Sequence, residues 1–164
     1  MMKKLTLLLL SAGLSTLALA DPPEYDRKSL RLATEANARE LVEIYYDKAA
    51  VGLSDRDLNV FYSRKYRRSL NEVVAQLSQT TGQGTDIEQH RVLELERMNA
   101  KCENLTFQDA KTYGSQTRQS ELHYLVTNTC VDYVPTIART IELRYSTDID
   151  SWQIDEVRDR ELVE

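Results

Sequence analysis

A carboxylate set against an imidazole fixes the ring's tautomer and raises its pKa, the pairing that general-base chemistry needs. The chain contains two histidines, and one of them, His123, can be given such a partner. If segments 103–112 and 120–131 form a hairpin turning about Gln116, His123 faces Asp109, Lys111 faces Glu121 and Cys102 faces Cys130. Opposite charges and paired cysteines then agree on one register. No third group completes a relay, and strand alternation does not aim the pair at a pocket, so a cross-strand ion pair is the plainer role. The expectation is no catalytic residue, with Asp109 and His123 as the candidates if there is one.

Other reactive groupings are thinner. A metal site would have to gather His90 and His123 with Asp86, Glu88 or Glu94, but no two histidines lie one helical turn apart and no metal-binding motif is present. No metal and no cofactor are expected. Arg64-Lys65-Tyr66-Arg67-Arg68 is a basic cluster suited to an anionic partner, a lipid headgroup or peptidoglycan carboxylates. As plain structure it is a solvated connection between two helices. The Gly82-Gln83-Gly84 segment lacks the Lys-Ser/Thr that follows in a phosphate loop, so it reads as a turn. Nine tyrosines against two phenylalanines are more telling. Tyr45, Tyr62, Tyr124 and Tyr145 fall at inward positions, where they either line an apolar pocket with a few hydroxyls or simply pack the core.

The ends of the chain set its compartment. Lys3 and Lys4, an apolar run from Leu5 to Leu17 and Ala18-Leu19-Ala20 make residues 1–20 a secretory signal peptide. Of the 164 residues, removing these 20 leaves 144; losing two lysines takes the net charge from −5 to −7. Asp21 rather than Cys follows the cleavage site, which argues against a lipoprotein anchor. No later run approaches the roughly 20 apolar residues of a membrane span. An acidic mature chain is a poor ligand for nucleic acid. Export points to the bacterial periplasm, or to secretion, where Cys102 and Cys130 would form the single possible bridge.

These residues must be positioned by two kinds of element. A long helix is expected over 26–51, with Leu30, Ala33, Asn37, Leu41, Ile44, Tyr45 and Lys48 on one stripe and Gly52 ending it. Ser54 caps a short second helix that buries Leu58, Phe61 and Tyr62. Ser69-Leu70-Asn71-Glu72 fits a capping box opening a third, with Leu70, Val73, Val74 and Leu77 on one face. Thr80 to Asp86 then breaks the chain, and residues 91–98 fit helix and strand equally. Segments 103–112, 120–131, 136–147 and 152–157 read as a meander of strands. A turn between Tyr133 and Val134 would set Leu122, Tyr124, Val126 and Cys130 beside Tyr145, Leu143, Ile141 and Ile137. A turn near Asp150 would set Trp152 and Ile154 by Thr147 and Tyr145. One face becomes apolar; the other keeps Thr127, Thr129, Thr136, Thr140, Glu142 and Arg144, with Leu105, Phe107 and Leu125 as an apolar island.

The expected fold is thus α+β, three N-terminal helices packed on a curved antiparallel meander and stapled by one disulfide. This element order, the ending Trp152-Gln153-Ile154-Asp155-Glu156-Val157 and the segment Leu58 to Ser63 with Tyr66 and Leu70 resemble the nuclear transport factor two-like superfamily, the cystatin-like α+β roll. The resemblance covers residues 28–158, leaving a flexible arm at 21–27 and a tail at 159–164. It implies isomerases, dehydratases and cyclases as well as modules that only bind. The functional expectation is an exported, non-catalytic binding module for an envelope protein or a small apolar ligand. The alternatives are a small acid/base isomerase or dehydratase, and an inhibitor or immunity protein against an envelope toxin.

Overall fold

A computed structural model describes residues 34–113, 118–132 and 134–162. The expected signal peptide, the N-terminal arm and most of the first hairpin turn lie outside the described residues. Helix α1 (Glu35–Val51) starts where the Thr34 hydroxyl accepts a hydrogen bond from the Asn37 amide. Residues 26–33 of the expected 26–51 helix lie outside the described residues; from its cap at Thr34 the helix spans about 26 Å. Its buried side chains are Ala38, Leu41, Val42, Tyr45 and Ala49. This spacing of three, four, seven and eleven turns the stripe away from Asn37 and Lys48, while Ile44 packs half-buried at its edge.

Helix α2 (Asp55–Phe61) follows a full capping box, with Ser54 and Asp57 each satisfying the other's backbone N–H. It buries Leu58 and Phe61 and delivers Tyr62 into the core. Helix α3 (Arg64–Thr81) opens at Ser63, whose hydroxyl accepts from the Tyr66 amide. The Ser69–Glu72 pattern therefore sits inside the helix, and the basic cluster forms its first turns instead of a connection. Only Val74 of the expected apolar face is buried, while Val73 is exposed. Gly82 ends α3 in the left-handed conformation at φ 72°.

A fourth helix, α4 (Thr85–Cys102), occupies the ambiguous stretch. Short apolar runs cannot separate helix from strand by period alone, and here length decides for the helix. Glu88, fully buried, accepts from Thr81 and Arg91 and ties the start of α4 to the end of α3.

Four antiparallel strands follow in the order β1 (Glu103–Tyr113), β2 (Gln119–Asn128), β3 (Ile137–Ser146) and β4 (Ser151–Glu161). The α+β class, the meander and the Cys102–Cys130 disulfide are as expected, with four helices among the described residues in place of three. Strand β4 runs past Val157, so residues 159–161 belong to the sheet rather than to a tail. The disulfide joins the α4–β1 junction to the loop after β2.

The central strands alternate strictly; the edge strands do not. Lys111↔Glu121 and Asp109↔His123 pair as expected, but a bulge between Phe107 and Asp109 then gives Phe107↔Tyr124 and Leu105↔Val126. One extra residue swaps the faces, so Leu105 and Phe107 join the core side instead of forming an outer island. Between β2 and β3 the pairs are Leu122↔Ile141 and Tyr124↔Arg139, four residues from the expected register. An even slip preserves the faces, so the apolar assignment survives it. Strand β4 pairs Tyr145↔Trp152 and Leu143↔Ile154, two residues from the expected register. A second bulge there gives Ile141↔Val157 and Arg139↔Asp159. Continued without that bulge, the register would set Arg139 against Arg158.

The core is the concave side of this sheet under α1 and α2. Leu122, Tyr124 and Val126 meet Ile141, Leu143, Tyr145, Trp152 and Ile154, all nearly inaccessible. Each such large side chain contributes roughly 1.5–3 kcal/mol when buried. Helix α4 packs on α1 and α3 and sets Leu93 and Ala100 against the edge of the core.

Candidate ligand site

Two adjoining concavities open between the helices and the sheet, and Tyr46, Ala100 and Glu103 wall both. The inner one, about 320 Å³, lies among α1, α3, α4 and the sheet, where three tyrosines, three acids, Asn99 and Arg139 meet an apolar wall of Ala100, Ile141, Ile154 and Val157. Tyr45 donates to Glu96 Oε2 at 2.9 Å, and its hydroxyl lies 2.7 Å from that of Tyr62. Since Tyr45 has one proton and gives it to Glu96, Tyr62 is the donor in the second bond. Burial is the main reason that both phenols are held above their ordinary pKa. Burial also pushes the Glu96 carboxyl up, against the hydrogen bond from Tyr45 and the charge of Arg139.

Arg139 is the other centre of this cleft. Its guanidinium donates to both oxygens of Glu103, to both oxygens of Asp159 and to the Tyr46 hydroxyl. Burial opposes the charge, but the bonds to Asp159 and Glu103 outweigh it and hold the guanidinium above its ordinary range. Both bulges build this cluster, for one keeps Glu103 on the concave side and the other brings Asp159 there.

The outer groove, about 540 Å³, runs between α1 and β1. Its apolar wall is Val42, Ala50, Ala100, Leu105, Phe107 and Tyr124. The Arg39 guanidinium lies 3.9 Å from the Phe107 ring centroid, and the Phe107 and Tyr124 rings meet edge to face at 5.7 Å. Unlike the inner cleft, this groove has polar atoms without partners. The Tyr124 hydroxyl and Arg39 Nε are buried and make no hydrogen bond among the described residues. Tyr124 as a whole is 5% exposed. Burial pushes its phenol up to about 12, with Arg39 pulling the other way and Glu43 adding to the rise.

The four tyrosines singled out from the sequence thus divide. Tyr45 and Tyr62 form the inner chain, and Tyr124 lines the outer groove. Tyr145 lies elsewhere, stacked edge to face on Trp152 at 5.5 Å and donating to Asp150. Asp109 and His123 are on the convex side, away from both concavities. His123 Nε2 is 3.0 Å from Glu121 Oε1 and 3.8 Å from Asp109 Oδ1, near enough for ion pairing but not aligned for a hydrogen bond. His123 Nδ1 is 3.3 Å from the Thr140 hydroxyl. In the basic cluster, Lys65 pairs with Glu156 at 2.7 Å and Arg67 bonds Asn59. Among the described residues no three His, Cys, Asp or Glu side chains gather as a metal would require, and no helix is long and apolar enough to cross a membrane.

Sequence reading passed over Arg139, Glu96 and Arg39. For Arg139 the signal was present: a lone cation on the inward alternation Ile137, Arg139, Ile141, Leu143, Tyr145 must find buried partners. For Arg39 and Glu96 there is none, since one is an ordinary charged residue on an amphipathic helix and the other lies in a stretch that fits helix and strand equally. No protein-family model, no curated protein and no solved structure matches the chain.

Proposed function

We propose that the protein is an exported binding module without catalysis, periplasmic or secreted, whose outer groove takes a small apolar ligand. The observation that carries this reading is the groove itself, with apolar walls, a volume suited to a small molecule and a buried tyrosine hydroxyl left without a partner. The resemblance to the α+β roll superfamily supports it, because that superfamily includes modules that only bind. The inner cleft, whose hydrogen bonds are made within the protein, then serves as a rigid floor.

A second reading draws on Glu96. A buried carboxyl whose pKa is raised by burial, beside a tyrosine, is suited to acid/base work. It competes poorly, because Tyr45, Tyr62 and Arg139 are all committed to protein partners.

The test is titration of the mature protein with N-phenyl-1-naphthylamine, an uncharged apolar fluorophore. Saturable one-to-one enhancement is expected, and Ala50→Phe, which fills the groove, should weaken it at least tenfold. Absence of binding, or binding indifferent to Ala50→Phe, would overturn the assignment. Turnover of an enolisable ketone that is abolished by Glu96→Gln would favour the enzyme instead.

A further inference from the structure

Resting on the reading of the outer groove as a ligand site, we infer that its ligand is an uncharged apolar molecule carrying a hydrogen-bond-accepting oxygen, a ketone, ester or amide carbonyl, read by Tyr124 and Arg39. Every buried polar group that lacks a partner costs stability, and the cost is recovered when a ligand supplies one. Tyr124 Oη and Arg39 Nε are two such groups in one groove. Arg39 Nε can only donate. Burial pushes the Tyr124 phenol up to about 12, so near neutral pH it keeps its proton and can both donate and accept. Since Arg39 only donates, the single ligand group that both side chains can serve is an acceptor, and an apolar wall calls for a hydrocarbon body beside it.

Charge decides between a carbonyl and a carboxylate. Arg39 brings one positive charge to the groove, while Glu43, Asp47 and Glu103 bring three negative ones. Arg139 divides its charge between Glu103 and Asp159, which still leaves a surplus of negative charge. An anionic ligand would meet repulsion from Glu43 and Asp47, whereas a neutral carbonyl accepts the same hydrogen bonds without it. The Tyr124 hydroxyl is closed off from water, so the ligand must displace something to reach it. Arg39, lying on Phe107 beside Tyr124, is the group that yields, because a long side chain changes rotamer at small cost.

Three naphthalenes of nearly equal shape test this: 2-acetylnaphthalene, 2-ethylnaphthalene and 2-naphthoate. Their affinities would be measured by ligand-observed NMR on the mature protein and on Tyr124→Phe and Arg39→Met. The ketone should bind about tenfold more tightly than the hydrocarbon, as one hydrogen bond to an otherwise orphaned donor allows. It should also bind more tightly than the carboxylate. Tyr124→Phe should bring the ketone down to the level of the hydrocarbon, leave the hydrocarbon unchanged, and not lower the Tm. Arg39→Met should reduce the ketone's preference in part. If ketone and hydrocarbon bind alike, or the preference survives Tyr124→Phe, the donors do not read the ligand, although the groove remains a ligand site. Tighter binding of the carboxylate overturns the choice of a neutral ligand. If none of the three binds, the groove reading falls together with the inference.

Discussion

The inner cleft and the outer groove share a wall, yet they hold their polar atoms in opposite states. In the cleft, Arg139 serves Glu103, Asp159 and Tyr46, and Tyr62, Tyr45 and Glu96 form a chain in which each hydroxyl has a partner. In the groove, a tyrosine of similar burial has none. The same residue type therefore does two jobs. A satisfied buried network rigidifies the fold, and removing one member exposes the others to the full cost of desolvation. An unsatisfied hydroxyl weakens the free protein and rewards whatever binds to it.

The sharpest way to break that contrast is Arg139→Met. It leaves Glu103, mostly buried, without its cation, while water screens the exposed Asp159, so urea unfolding should show a loss of about 3–5 kcal/mol carried mainly by Glu103. Adding Glu103→Gln and Asp159→Asn should restore much of it; failure to restore would mean the pair contributes something beyond mutual neutralisation. Reducing the Cys102–Cys130 disulfide, which holds the junction next to Glu103, should cost about 3–4 kcal/mol in the chain-entropy model for its loop. Tyr45→Phe comes next, with a loss of about 1–2 kcal/mol, since both Tyr62 and Glu96 lose a partner.

Glu96 supplies a pH signature. A carboxyl whose pKa is raised by folding holds its proton more tightly in the folded chain, so stability falls as pH rises from the ordinary carboxylate range through the raised value. Glu96→Gln should remove that slope, and its stability relative to the parent should grow from about pH 4 toward neutrality. A parallel pair of pH profiles would show that Glu96 is not desolvated as described. The smallest effect belongs to Tyr124→Phe, for which unfolding should move by less than about 0.5 kcal/mol or become slightly harder, because no hydrogen bond is lost. A loss as large as that of Tyr45→Phe would erase the difference between the two regions.

Much of the fold was legible from local rules. Ser54 as a cap, Leu58, Phe61 and Tyr62 as buried residues, four strands within a few residues of their bounds, and the Cys102–Cys130 pairing all follow from periodicity, capping and cross-strand matching. The candidate site was half legible. Tyr45, Tyr62 and Tyr124 could be placed inward, but not sorted into bonded and orphaned, because hydrogen-bond partners come from other elements. Helix α4 was missed as a helix, so Glu96 could not be aimed at Tyr45.

The sequence by itself determined which residues alternate and which residues cap, since each depends on neighbours a few positions away, and which cysteines pair, since there are only two. Only the tertiary structure decided the faces of the edge strands. Alternation defines a face only until an extra residue intervenes, and the bulges before Asp109 and before Glu156 each exchange inside for outside. Those exchanges bring Leu105 and Phe107 into the groove's wall and set Asp159, rather than Arg158, against Arg139. The local code permits either register, and the cost of a buried Arg facing another Arg selects one.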